Sequence, residues 1–274
     1  MNDRQLLDGR GIAPKKSLGQ NFLHDPHTLE KIVALAELPP GATVLEIGPG
    51  TGNLTRALAR AAARVIAVEV DDRLIPLLEA TFADQPHVEI VHGDILTLDL
   101  AARLGDTPYT LVANLPYYIT SAILRHVFEG MPRPQRIVVT VQREVAERLV
   151  ATPGDMSLLA VSVQVHGQPR IALRLSAGAF WPRPDVDSAV VRIDVYERPP
   201  VDVPNEALFF RVVRAGFGQK RKQLRNAISA GLGLDKAAAD ALLRAAGIDP
   251  QRRAETLSLE EWAALARAVA GMTG

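Results

Sequence analysis

The chain predicts an open α/β domain built on a mostly parallel sheet, followed by a small all-helical domain. Three observations carry this. Short β-rich apolar runs alternate with helical patterns as far as residue 150, a glycine loop follows the first of those runs, and beyond Pro199-Pro200 the pattern becomes helical only. Strands that read as unbroken apolar runs, rather than as alternating ones, imply a sheet covered by helices on both faces.

Residues 27–37 carry a helical pattern that Pro39-Pro40-Gly41 ends. Strand patterns follow at 44–47, 64–70, 88–92, 109–113 and 136–141, with helical patterns at 53–62, 72–83, 119–129 and 142–150. Two further apolar runs, 159–165 and 189–195, flank a proline-rich loop and are expected to close the sheet as an antiparallel edge pair. The stretch 204–270 is alanine-rich and helical, with breaks near Gly231–Gly233 and Gly247–Pro250. The expected division is therefore a first domain over 1–200 and a helical domain over 201–274.

Composition narrows the function classes. At 274 residues and 47% hydrophobic content there is ample material for one large and one small core. The 31 basic and 31 acidic residues cancel, so the chain is not cationic throughout. No apolar stretch has the length of a membrane span, and Met1–Gly11 lacks the apolar core of a signal peptide. With no cysteine there are no disulfides or thiolate metal sites, and a cytoplasmic location is expected. His24 and His27 are spaced as metal ligands can be, but no cysteine or glutamate partner accompanies them, and no metal is expected.

Glu46-Ile47-Gly48-Pro49-Gly50-Thr51-Gly52 joins the first sheet strand to a helix. Glycines at alternate positions let the backbone turn sharply and come close to a ligand. The spacing is G-x-G-x-G rather than the dinucleotide pattern G-x-G-x-x-G. In such sheets ligands bind at the carboxyl ends of the strands. Two more strand ends carry acids: Glu69, suited to the two hydroxyls of a ribose, and Asp94, suited to an adenine amine. Gly48, Gly50, Glu69 and Asp94 together read as a nucleoside-cofactor site.

Asn114-Leu115-Pro116-Tyr117 follows the fourth sheet strand. An adenine N6 lone pair is delocalised into the ring and is a poor nucleophile. The Asn114 side-chain oxygen and the Leu115 carbonyl can accept its two hydrogens, which favours a pyramidal nitrogen with its lone pair aimed at a methyl donor. Tyr117 offers a ring for stacking. Phe180, on the proline-rich loop, is a candidate for the opposite face, because a nucleobase must leave its stack to react. Residues 209–225 hold Arg211, Arg214, Lys220, Arg221, Lys222 and Arg225 and no acid. Such a run is ordinarily a solvated helix face; with a nucleic-acid substrate it becomes a set of phosphate contacts.

These motifs resemble those of the bacterial small-subunit rRNA adenine N6,N6-dimethyltransferases. The resemblance also takes in Lys15-Lys16-Ser17-Leu18-Gly19-Gln20-Asn21-Phe22-Leu23, Gln142-Arg143-Glu144-Val145-Ala146 and Phe180-Trp181-Pro182-Arg183-Pro184-Asp185-Val186-Asp187-Ser188. Phe217-Gly218-Gln219-Lys220-Arg221-Lys222 and Arg253-Ala254-Glu255-Thr256-Leu257-Ser258 extend it through the helical domain, to about residue 270. It implies a Rossmann-like methyltransferase sheet, S-adenosyl-L-methionine as cofactor, and dimethylation of two adjacent adenosines in a hairpin near the 3′ end of 16S rRNA within the 30S subunit. It further implies cofactor contacts from Asn21, Leu23, Gly48, Glu69, Asp94 and Asn114, and places Tyr117 and Phe180 at the target base; a monomer is expected. Two positions depart from the pattern: Asp185 stands where a lysine is usual, and Met156-Ser157 where Tyr-Gly is common.

Rival readings fit less well. A dinucleotide oxidoreductase has no use for Asn114–Tyr117, and an N6-adenine DNA methyltransferase would not explain the basic helical domain. A non-catalytic RNA-binding relative would be expected to have lost cofactor residues, which are intact here. A methyltransferase of 23S rRNA is the nearest alternative.

Overall fold

The computed structural model describes residues 3–272 apart from 130, 131, 204 and 220. It divides into two compact units, one formed by 1–146 with 169–195 and the other by 147–168 with 196–274. The helical unit thus takes in a segment ahead of the boundary near residue 200 that the sequence pattern suggests.

The first unit opens with a short helix α1 (Asp3–Asp8) and a two-residue strand β1 (Phe22–Leu23). Helix α2 (Pro26–Ala36) starts where the Asp25 side chain accepts the Thr28 amide at 2.9 Å, with Pro26 pre-set for the first turn. Strands β2 (Thr43–Ile47), β3 (Arg64–Glu69), β4 (Val88–His92), β5 (Tyr109–Asn114) and β6 (Arg136–Gln142) then alternate with helices α3 (Asn53–Ala59), α4 (Ile75–Phe82), α5 (Ala101–Leu104) and α6 (Thr120–Glu129). All five strands pair in parallel, in the order β4-β3-β2-β5-β6. Every residue of β2 is buried, as a strand covered on both faces must be. Aliphatic side chains of the sheet and of α2, α3 and α4 form the core of this unit, with Leu58, Val65, Leu77 and Leu78 almost wholly enclosed.

Helix α7 (Arg143–Leu149) follows β6, and α8 (Leu158–Gln164) comes next. Here the structure corrects the reading of 159–165 as a strand. A seven-residue apolar run is ambiguous between a buried strand and a buried helix. The Ser157 hydroxyl resolves it by accepting the Ala160 amide at 3.1 Å, capping a helix. The outer strands are instead β7 (Gly167–Leu175) and β9 (Ser188–Val195). Strand β9 runs antiparallel to β6, with Arg136 opposite Asp194 and Gln142 opposite Ser188, and β7 forms the edge beyond it. Between them β8 (Phe180–Trp181) pairs with β1, Phe22 facing Trp181 and Leu23 facing Phe180.

On β9, opposite Val138, Arg192 is only 6% exposed. It donates to the Leu35 carbonyl at 3.1 Å and pairs with Glu37 and Asp194. Arg136 donates to the Ala36 carbonyl at 2.6 Å. Two guanidiniums therefore close the carboxyl end of α2, where unpaired carbonyls gather negative charge.

In the second unit, α9 (Glu206–Phe217), α10 (Leu224–Leu232), α11 (Lys236–Ala245) and α12 (Leu259–Met272) pack with α8 around a separate core that includes Phe209, Leu243 and a fully enclosed Trp262. Asn205 and Asp235 cap α9 and α11 by accepting the Leu208 and Ala238 amides, and α10 ends at Gly233 in the left-handed region. Among the described residues no helix is long and apolar enough to cross a membrane.

Candidate active site

The parallel register brings the predicted loops together. Pairing continues one residue past the strands: Gly48 donates to Val68 at 2.9 Å, Gly93 to Glu69 at 2.9 Å, and Leu115 to Thr140 at 3.1 Å. The glycine loop, Glu69, Asp94 and Asn114–Tyr117 therefore meet along one end of the sheet. They line one open cleft. Gly48 and Gly50 have φ of 69° and 60°, and a Cβ on Gly50 would lie 2.8 Å from the Phe22 ring. Only glycine allows both the turn and that approach.

Glu69 is 4% exposed and fixed at both oxygens, accepting the Gly50 amide at 3.0 Å and the Asp71 amide at 2.9 Å. Burial pushes its carboxyl above the usual carboxylate range, and these amides oppose that. Asp94 is exposed at the rim and accepts the Leu96 amide at 3.0 Å, while Ile95 beside it is buried and apolar. Replacing Glu69 by Ala should weaken cofactor binding roughly ten- to hundredfold, since hydrogen bonds to a charged acceptor contribute about 1.5–3 kcal/mol. Calorimetry on the folded variant checks this, and an unchanged dissociation constant would remove Glu69 from the site.

Asn114 ends β5 with its two amide ends differently employed. Nδ2 donates to the Asn21 carbonyl at 2.8 Å, while Oδ1 has no protein partner among the described residues. The buried Leu115 side chain anchors the turn that follows. The half-buried Tyr117 ring lines the cleft, its hydroxyl 2.6 Å from Ser188 Oγ on β9. Burial raises the phenol above its ordinary value, so the ring presents a neutral face.

The amino-terminal segment supplies another wall, formed by Leu18, Gly19, Gln20, Asn21 and Phe22. Side chains hold it in place. Asp71, just past β3 and 1% exposed, accepts Gln20 Nε2 at 2.8 Å and Lys15 Nζ at 3.3 Å, while Arg73 binds both its oxygens. The Arg73 guanidinium, with Gln20 and Lys15, holds the Asp71 carboxyl far below the carboxylate range. Arg73 also reaches the Ala13 carbonyl at 3.1 Å. Asn21 thus lies in the cleft, whereas Leu23 lines a smaller hollow that shares Phe22, Gly48 and Asn114 with it.

That hollow exposes a residue missed by sequence reasoning. Glu46, on β2, is 1% exposed, and its Oε2 has no hydrogen-bond partner among the described residues. Burial pushes its carboxyl up to about 8, and the nearby Glu69 adds to the effect. An acid in a strand-to-glycine-loop motif was the available signal, but the apolar run around it gave no reason to single it out. The cleft carries Glu69 and Asp94, and among the described residues no Lys or Arg lines it, so no fixed cation there opposes a ligand bearing positive charge.

Phe180 is not brought to this cleft. It is 3% exposed and belongs to the core, because alternation in the two-residue β8 turns it inward opposite Leu23. In the helical unit Arg211 and Arg214 are exposed beside a groove between α9 and α10 that Gln219 and Gly231 also line. Arg221 and Lys222 are exposed in the following turn, and Arg225 is tied to Asp240 on α11. Lys220 lies outside the described residues. Among those described, no group of three or more His, Asp or Glu is gathered for a metal ion.

A parallel sheet ending in a glycine loop, two acids and an Asn-Leu-Pro-Tyr turn defines a Rossmann-like methyltransferase, and solved structures agree. The 23S rRNA methyltransferase ErmE superposes with a TM-score of 0.71 at 28% identity, covering 91% of this chain and all of its own. A dimethyladenosine transferase from Plasmodium falciparum gives 0.73 at 25% identity, covering 88% of this chain and 94% of its own. The family model described as ribosomal RNA adenine dimethylase matches residues 12–270, and the chain belongs to that family. The ribosomal RNA small subunit methyltransferase A of Dehalococcoides mccartyi is 48% identical over 269 residues, 98% of this chain and 92% of the relative.

Proposed function

We propose that the protein transfers methyl groups from S-adenosyl-L-methionine to N6 of two adjacent adenosines in a hairpin near the 3′ end of 16S rRNA, within the 30S subunit. The observation that carries the chemistry is the divided Asn114 amide. Its donor end is held by Asn21, and its acceptor end is left for a ligand. An exocyclic amine needs acceptors and no strong base, because the proton leaves the nitrogen for solvent after the methyl is bonded; the cleft offers the Asn114 oxygen, with the Leu115 carbonyl as the second. When bound, the cofactor supplies an electrophilic methyl on a sulfonium that departs as a neutral thioether. Asn21, Leu23, Gly48, Glu69 and Asp94 would hold it, with the acids offsetting its cationic groups. Tyr117 would give the target base a flat neutral face. Arg211, Arg214, Arg221 and Lys222 would bind phosphates without reading sequence.

The small subunit is favoured over the large by similarity, 48% to a small-subunit enzyme against 28% to a 23S enzyme. The test is incubation with methyl-labelled cofactor and immature 30S particles, followed by nucleoside analysis. Label is expected in N6,N6-dimethyladenosine of 16S rRNA. Label in 23S rRNA or DNA alone, or a product that stops at monomethyladenosine, would overturn the assignment.

A further inference from the structure

A second aromatic ring stands at this site, and the chemistry above leaves it without a role. Tyr118 follows Tyr117 directly, yet the two are disposed differently. Tyr117 is half-buried with its hydroxyl bonded to Ser188, whereas Tyr118 is 58% exposed and its hydroxyl has no partner among the described residues. Its ring rests against Gly19, so closely that a methyl group there would lie 3.2 Å from Cδ1 and 3.4 Å from Cε1. The ring is therefore steadied from one side and open to solvent over much of the rest. Four large apolar residues are conspicuously exposed among those described, and two of them, Val70 and Tyr118, line this one cleft. Exposed apolar surface concentrated at the rim of a ligand cleft marks a place where something docks.

We propose that Tyr118 is the stacking platform for the nucleobase next to the target adenosine in the same RNA strand, an inference that rests on the function proposed above. Extruding one base leaves its neighbour without a stacking partner on that side. A strand that places its target base against Tyr117 continues past the rim, where the next residue of the protein offers an exposed ring. Stacking there needs no hydrogen bond, which accords with the unpartnered hydroxyl. A ring roofing the cofactor instead would be recessed in the cleft as Tyr117 is.

The experiment compares Tyr118→Ala, Tyr118→Leu and Tyr118→Phe with the wild type. It measures KM and kcat on immature 30S particles, and cofactor affinity by calorimetry. The Ala variant should raise KM for 30S roughly five- to hundredfold, as expected for one lost base–aromatic stack. The cofactor dissociation constant should not move. Phe should restore wild-type KM, and Leu, apolar but not flat, should behave like Ala. An unchanged KM in the Ala variant would overturn the platform. So would a Leu variant as good as Phe, which reduces the ring to apolar cover. A cofactor constant that worsens in step with KM would place the ring over the cofactor. A wild-type protein that moves no label into RNA would defeat the functional reading itself, before any variant is compared.

Discussion

Replacing Asn114 by Ala should lower the rate of methyl transfer about a thousandfold, while the protein still folds and still binds RNA. Losing a single preorganised polar contact to a reacting group typically costs a hundred- to thousandfold in rate. Here the same change also frees the Asn21 carbonyl, and with it one attachment of the cleft wall. Misplacing a reactant by about 1 Å costs about a hundredfold by itself, which sets the expected loss at the upper end of that range. Asn114→Asp is the more discriminating variant. It keeps an acceptor toward the substrate but sets a carboxylate against the Asn21 carbonyl, two acceptors with no proton between them. It should also retain the first methylation better than the second. After one transfer N6 has one hydrogen left, and a carboxylate that loses its donor is a desolvated charge, whereas a neutral amide is not. Single-turnover time courses read by mass spectrometry of digested rRNA separate the two steps. Equal losses in both for the Asp variant would refute the charge argument.

Glu46→Gln should change the response of stability to pH more than any other conservative substitution in the site. In the fold the carboxyl is held up at about 8, against 4.5 when solvated. Between those values the folded chain keeps a proton that the unfolded chain has released. Stability from this group is therefore fully present below pH 4.5 and is lost as pH rises toward 8. At about 1.4 kcal/mol for each pH unit, the wild type should lose roughly 5 kcal/mol relative to the Gln variant across that window. Denaturant unfolding at pH 5 and pH 8.5 measures it. The two proteins should be alike at the lower pH, and the Gln variant clearly more stable at the higher one. Parallel curves would show that Glu46 has a partner in solution, a water or an ion that keeps it charged.

Much of the fold was legible because its physics is local. The five parallel strands announce themselves as short apolar runs, and elsewhere in the chain helices stop at residues that break them, such as Pro39-Pro40-Gly41 after α2 and Gly233 after α10. That the glycine loop, Glu69 and Asp94 come together followed from position alone, since loops at one end of a parallel sheet must meet. What escaped was non-local. Whether 158–164 is a strand or a helix depended on one capping hydroxyl and on burial, not on apolar content. Phe180 looked available because it sits among prolines, and only its pairing with Leu23 shows that it turns inward. The wall built by residues 18–22 depends on Asp71, more than fifty positions away, and no spacing rule connects the two. Glu46 illustrates the converse. Its neighbours in sequence were read correctly, but its unsatisfied oxygen exists only once the sheet has closed around it.

The side-chain bonds to Asp71 and Asn114 also set what a binding constant for this cleft contains. A ligand that touches residues 18–22 meets a wall held by reversible side-chain bonds, and local structure of that kind opens in some fraction of molecules. The measured affinity is then the intrinsic affinity reduced by the fraction of molecules whose wall is seated. Coupling of this kind is reciprocal: whatever secures the amino-terminal segment tightens the ligand, and the ligand secures the segment by the same factor. An affinity tag that crowds Ala13, or a trimmed start that removes Lys15, would therefore register in an assay as an active-site lesion, although it alters no residue that the substrate meets.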